Sequence, residues 1–242
     1  MSEAKYFNFS LEQLFAPLFW VLSIWIVFWL ELQLGINLNN HGIYPRKLSG
    51  LQGILFGPFI HGSIEHLYNN TIPLAILTLA VSFFYKRNAM KVFLLGTLIA
   101  GLLTWLIGRP SYHIGASGLI YVLASFIFFK GIFTKYYRLI ALSLAIVFIY
   151  GSMLWYIFPI EEGISWEGHL SGFLTGLLLA TFIKTEVPKP TKYQWERDDF
   201  NEEEDEFLKH FDENGNFIEK ANPINEEEIK VIYHIKKSEN KD

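Results

Sequence analysis

The sequence predicts an all-α membrane protein, a bundle of six membrane-crossing helices with a charged tail. Three observations predict it. The 242 residues are 51% hydrophobic and 17% aromatic, with a positive mean hydropathy, too apolar for an ordinary soluble domain of this size. Six apolar runs recur between residues 14 and 184, closed by charges, Gly or Pro. Basic residues collect in alternate connections between those runs, the pattern that orients multi-span proteins.

Leu14–Leu30 is the first run, apolar apart from Ser23. About 20 residues at 1.5 Å rise cross a hydrocarbon core of about 30 Å, so it is long enough to span. Met1–Gln13 lacks a basic n-region and no small-residue cleavage site follows, so the run is expected to stay as an anchor rather than be removed as a signal peptide. Residues 31–65 read as an outer loop lying in the membrane interface. Asn37, Asn39, Asn40, Gly42, Pro45, Gly50, Gly53, Gly57 and Pro58 break it into short pieces, with Leu48, Leu51, Ile54, Leu55 and Phe56 between them.

The second span is His66–Tyr85, ended by Lys86-Arg87. The third is Val92–Ile107, ended by Gly108-Arg109-Pro110. Ser117–Phe129 is the fourth, Leu139–Phe158 the fifth and Trp166–Ile183 the sixth. Lys5, Lys86, Arg87, Lys91, Lys130, Lys135, Arg138, Lys184, Lys189 and Lys192 then share one side. The other side holds Arg46, Lys47 and Arg109 with Glu31, Glu65, Glu161, Glu162 and Glu167. The positive-inside rule puts both ends in the cytoplasm. The expected division is a cytosolic segment 1–13, a six-span bundle 14–184 and an acidic tail 185–242.

The charge is uneven. Residues 1–184 carry 11 Lys/Arg against 7 Asp/Glu, and residues 185–242 carry 9 against 17, which sums to −4. The tail has too little apolar content to bury a core and is expected to be largely disordered. Its acidity argues against a nucleic-acid partner. Asp212-Glu213-Asn214-Gly215-Asn216 has incomplete calcium-loop spacing and reads as a simple turn. Ile229–Ile235 could form a short strand or helix. With no cysteine, disulfides, thiolate metal sites and a cysteine nucleophile are excluded.

Polar groups inside spans are costly, so each is a functional candidate. Ser117 heads the fourth span in Gly115-Ala116-Ser117-Gly118. One reading is a small residue that lets helices pack closely; the other is a nucleophile, which needs a base and an oxyanion site. Counting up from the cytosolic charges favours the nucleophile. Ser117 lies 13 positions from Lys130, His169 lies 15 from Lys184 and Asn70 lies 16 from Lys86, giving heights of about 20, 22 and 24 Å. Three polar side chains from three spans reach one level below the outer surface.

Spacing agrees. His66 and Asn70 are i and i+4 and share a face, as do Ser117 and Tyr121. Pro73 favours a kink beside Asn70. Gly168, Gly172 and Gly176 surround His169 at intervals of four, spacing that lets two helix backbones approach closely.

Gly115-Ala116-Ser117-Gly118, Gly168-His169 with Gly172, and His61-x4-His66-x3-Asn70 together resemble the rhomboid intramembrane serine proteases, over roughly residues 42–183. The resemblance implies a nucleophile at Ser117 and a general base and acid at His169, in a dyad without a carboxylate. It implies an oxyanion hole of His66, Asn70 and the Ser117 N–H. In place of a carboxylate the resemblance implies Tyr121 as orienter, since it packs against the catalytic ring in this family. His61 resembles a second loop histidine with a structural or water-holding role. Gly115 and Gly118 would relieve crowding around the serine. Many members carry a Trp-Arg pair in the first outer loop; here Gly42-Ile43-Tyr44-Pro45-Arg46 stands in its place.

The implied activity is cleavage of single-span membrane proteins near the outer face, in a plasma or inner membrane, with no metal or organic cofactor. His61 and His66 are five apart and no His-Glu-x-x-His occurs, which sets a metalloprotease aside. A non-proteolytic relative that binds membrane clients is the alternative from another class. A transporter would scatter polar residues through the depth of the bundle, whereas here they cluster near one face.

Overall fold

The computed structural model describes residues 7–188 and 193–218. It divides into two units, Met1–Lys189 and Pro190–Asp242. The first is helical. A 3-10 turn, Leu11–Leu14, leads into α1 (Phe15–Leu34), followed by α2 (Ile64–Phe84), α3 (Ala89–Ile107), α4 (Ser117–Thr134), α5 (Tyr137–Tyr150) and α6 (Trp166–Phe182). Five elements, Leu11–Leu34, α2, α3, α4 and Tyr137–Ile157, are long and apolar enough to cross a membrane. This is a multi-pass membrane protein with an all-helical body.

The six apolar runs each become a helix, and the helix ends differ from the expected ones for local reasons. The first helix passes through Glu31 to Leu34 because Glu31 turns inward. It is 8% exposed, and its Oε1 accepts the Leu38 N–H at 2.7 Å. Gly35, at φ 64°, then stops the helix in the left-handed conformation, which glycine adopts without Cβ strain. Ser63 caps α2 by accepting the His66 N–H, so that helix starts before His66. Helix α2 runs through Pro73 as one element. The fifth run is helical only to Tyr150; Gly151–Ile157 tighten into a 3-10 segment. Ser165 caps α6 by accepting from Gly168 N.

Helix α4 is the centre, packed against α2, α3, α5 and above all α6. Leu119, Ile120, Val122, Leu123, Phe126 and Ile127 are buried along it. Its approach to α6 is set by glycine. A Cβ at Gly172 would overlap the Gly118 carbonyl oxygen and stand 2.8 Å from Tyr121 Cβ; one at Gly176 would overlap the Val122 carbonyl and stand 2.7 Å from Ser125 Cβ. The small-xxx-small spacing therefore works as a backbone contact. At the foot of this seam Lys130 is 6% exposed. Its ammonium donates to the carbonyls of Ala180, at 3.0 Å, and Ile183, two of the end groups that a helix cannot satisfy itself.

The outer loop is built from short helical pieces, Asn39–His41, Leu48–Gln52, Gly53–Phe56 and Gly57–Phe59. It has no Trp-Arg pair, and Arg46 anchors it. Arg46 takes a left-handed φ of 58° and donates to the carbonyls of Leu106, at 3.1 Å, and Gly108, at 2.8 Å. Trp105 Nε1 donates back to Lys47 O at 2.9 Å. The loop is thereby tied to the end of α3.

In the second unit, residues 193–218 form 3-10 turns and one isolated bridge, Phe211 to Phe217. Asp212–Asn216 is the expected turn: Asp212 Oδ1 accepts from Asn214 N at 2.9 Å and Asn216 N at 2.7 Å. The segment Ile229–Ile235 lies outside the described residues.

Candidate active site

Ser117 is the first residue of α4. The chain enters it through Gly115, whose φ of 101° suits glycine alone. Gly115 N donates to Gly57 O at 2.9 Å, which fastens the approach to the outer loop. A Cβ on Gly115 would lie 2.6 Å from His66 Nε2 and 3.5 Å from Asn70 Nδ2. The imidazole and amide that the sequence pairs at i and i+4 thus flank the backbone two residues before Ser117. Crowding is real at Gly115 and absent at Gly118, where a Cβ would make ordinary contact, 3.7 Å from Gly168 O. Gly118 contributes its carbonyl, against which Gly172 packs.

Asn70 is buried and its Nδ2 donates to His66 O at 3.1 Å. His61 is 2% exposed. Its Nε2 accepts the Ala116 N–H at 3.5 Å and its Nδ1 faces Phe59 O at 3.3 Å, so the neutral Nδ1–H tautomer satisfies both contacts. Burial, then the charge of His66, lowers its pKa to about 4. His61 is therefore an uncharged support under the residue preceding Ser117.

His169 lies in the second turn of α6 and is buried. Its ring stacks on Tyr121 with centroids 4.2 Å apart and planes at 11°. His169 Nδ1 lies 2.9 Å from Tyr156 O. A carbonyl accepts only, so Nδ1 carries the proton and Nε2 keeps its lone pair. The Tyr121 hydroxyl donates to Met153 O at 2.6 Å. Tyr121 is one turn below Ser117, and Gly172, one turn below His169, touches Gly118 and Tyr121. Ser117 and His169 therefore head one seam instead of facing lipid on opposite sides. Ser117 also lines a shallow cleft with Ile43, Ile54, Pro58, Thr104 and Leu119.

Two features escape sequence reading. Glu167, read as an outer-rim charge, is 1% exposed. Its Oε1 accepts the Arg109 N–H at 3.0 Å and lies 3.8 Å from Arg109 Nε. Beside it His113 is buried between Ser165 Oγ, at 2.5 Å, and Arg109 O, at 3.1 Å. Burial lowers its pKa. Together they stitch the loop before Ser117 to the start of α6. The signal was two isolated opposite charges, each beside an apolar run. The other missed feature is the pair of carbonyls at Met153 and Tyr156. Among the described residues no group of three or more His, Cys, Asp or Glu could hold a metal.

A family model for the Rhomboid domain matches residues 49–186. Over 162 residues, 62% of this chain, the sequence is 36% identical to an uncharacterized protein of Mycobacterium tuberculosis and to one of Mycobacterium bovis. It is 34% identical over 156 residues, 61% of this chain, to an uncharacterized protein of Mycobacterium leprae. The matches span 66% of the length of the first two relatives and 62% of the third.

Proposed function

The chain belongs to the rhomboid family, and from that premise we propose that it is an intramembrane serine endopeptidase. One observation carries the proposal: the His169 ring is engaged at Nδ1 and stacked on Tyr121, which lies one turn from Ser117 on its own helix. That leaves Nε2 as the base for a serine hydroxyl. His169 takes the proton as Ser117 Oγ bonds to the substrate carbonyl carbon. The oxygen's developing charge is met by His66, Asn70 and the Ser117 N–H, donors whose value rises where water is scarce. The peptide C–N bond then breaks and His169 returns the proton to the amine. Water hydrolyses the resulting ester by the same route.

The substrates are single-span membrane proteins that present an extended strand near the outer face. Helix α6 is the sixth span. Its 17 residues reach about 26 Å, and tilt or burial within the bundle absorbs the shortfall from a core of about 30 Å. The alternating charges put both termini in the cytoplasm of a cell with a plasma or inner membrane.

The test is cleavage of a tagged single-span reporter by the purified chain and by Ser117→Ala. We expect cleavage by the first and a loss of at least about 10³-fold in the second. Equal cutting by both would remove Ser117 from the mechanism. Cutting by neither, with both folded, would favour the client-binding alternative.

A further inference from the structure

The 3-10 segment Gly151–Ile157 supplies no side chain to the dyad, yet both aromatic rings at the site end on it. His169 Nδ1 meets Tyr156 O at 2.9 Å, and the Tyr121 hydroxyl meets Met153 O at 2.6 Å. The two carbonyls are three residues apart. In a 3-10 helix residues i and i+3 eclipse, so they stand on one face. The two rings are locked to one another at 4.2 Å. Four groups thus form a closed loop: carbonyl 156, imidazole 169, phenol 121 and carbonyl 153.

We propose that the Tyr156 carbonyl is the positioning group of this active site, the acceptor that holds the His169 ring in the tautomer the reaction needs. The inference rests on the protease reading. In a serine–histidine pair a third group must hold the imidazole in the tautomer whose Nε2 is free. Among the described residues no carboxylate bonds to His169; Glu167 is committed to Arg109. A backbone carbonyl performs the same task without burying a charge. It also ties the base to the segment that follows α5. With both bonds made, Nδ1–H has its acceptor, and the Tyr121 hydroxyl holds the stacked ring to the same face.

Backbone ester substitution tests this in the full chain. Replacing Ile157 by its α-hydroxy acid makes the Tyr156 carbonyl an ester carbonyl, a poorer acceptor, and removes one segment N–H. Replacing Phe158 the same way is the control. It removes the Phe158 N–H to Trp155 O bond and leaves the Tyr156 carbonyl an amide. Two readouts are used: histidine ring nitrogen NMR for the tautomer, and kcat with KM on the reporter. The expectation is a mixed His169 tautomer and a kcat about 10-fold lower in the 157 ester, with KM within about twofold and the 158 ester like the unmodified chain. Tyr121→Phe, which keeps the stack and loses the Met153 bond, should shift the tautomer in the same direction by less. Identical tautomer and kcat in the two esters would overturn the proposal, as would an Nε2–H ring in the unmodified chain. The tautomer readout needs no turnover. An unmodified chain with a set Nδ1–H ring that cuts nothing would count against the protease reading and leave the positioning role standing.

Discussion

Helices α4 and α5 are both apolar enough to span a membrane, yet the protein uses them in opposite ways. In α4, 56% of an 18-residue stretch is buried inside the protein; in Tyr137–Ile157 the share is 11%. Hydropathy does not separate the two, because lipid tails and leucine side chains are about equally apolar. What separates them is what lies opposite. Helix α4 faces glycines of α6 and is clamped by backbone contact at Gly172 and Gly176. Helix α5 meets α4 at a few points: Ser143 Oγ reaches the carbonyls of Ile127 and Phe128, and Gly131 lies against Leu139. Inside a bilayer, close association comes from small residues and polar contacts rather than from greasiness. The closely packed seam holds Ser117 and His169, and the less buried helix leads into the segment that meets the His169 ring.

The largest break in this contrast comes from the seam. Gly172→Val pushes a side chain into the Gly118 carbonyl, which cannot move aside. The expected cost is about 3 kcal/mol or more, seen as loss of monodisperse protein on size exclusion and loss of reporter cleavage. Normal yield with full cleavage would show that α4 and α6 are not clamped as described. Next is the outer stitch. Glu167→Ala leaves the Arg109 N–H without its acceptor, at about 2 kcal/mol, read as a lower unfolding temperature in detergent. An unchanged temperature would mean that the loop before Ser117 is held by His113 and Arg46 alone.

A smaller effect comes from pH. His61 holds its proton only near pH 4 when folded, against 6.5 ordinarily, so the unfolded chain binds the proton first. Its contribution is whole above about pH 6.5 and is lost as pH falls toward 4. Between pH 7.5 and 5.5 stability should drop by about 1 kcal/mol, and His61→Gln should flatten that dependence in a thermal melt. A steeper slope in the variant would assign the effect to another group. The smallest effect is expected on the loose side: Phe148→Ala, at a position 92% exposed, should change stability by less than about 0.5 kcal/mol. A larger loss would mean that α5 packs against something beyond lipid.

The helices were legible because each apolar run is bounded by charge, Gly or Pro. The ends were less so, since Ser63, Gly35 and Ser165 act through cap geometry and not through hydropathy. Ser117, His169 and Asn70 could be grouped from depth, because polar groups at one height in three spans have few other reasons to be there. Glu31 and Glu167 were misplaced as rim charges. A carboxylate with a local N–H donor can be buried, and such donors come from turns that have no residue signature. The acceptor for His169 was invisible, because every residue has a carbonyl and only the 3-10 turn after Tyr150 aims this one.

Lys130 carries a last implication. It grips the carbonyls of Ala180 and Ile183 at the opposite end of α6 from His169. Advancing a helix by one residue turns it about 100°, so a slip of that size would tear the ammonium from both oxygens. Helix α6 is thus an axle with a bearing at its foot and a stop at its head. The direction in which the imidazole points is indexed from the far end of its own helix.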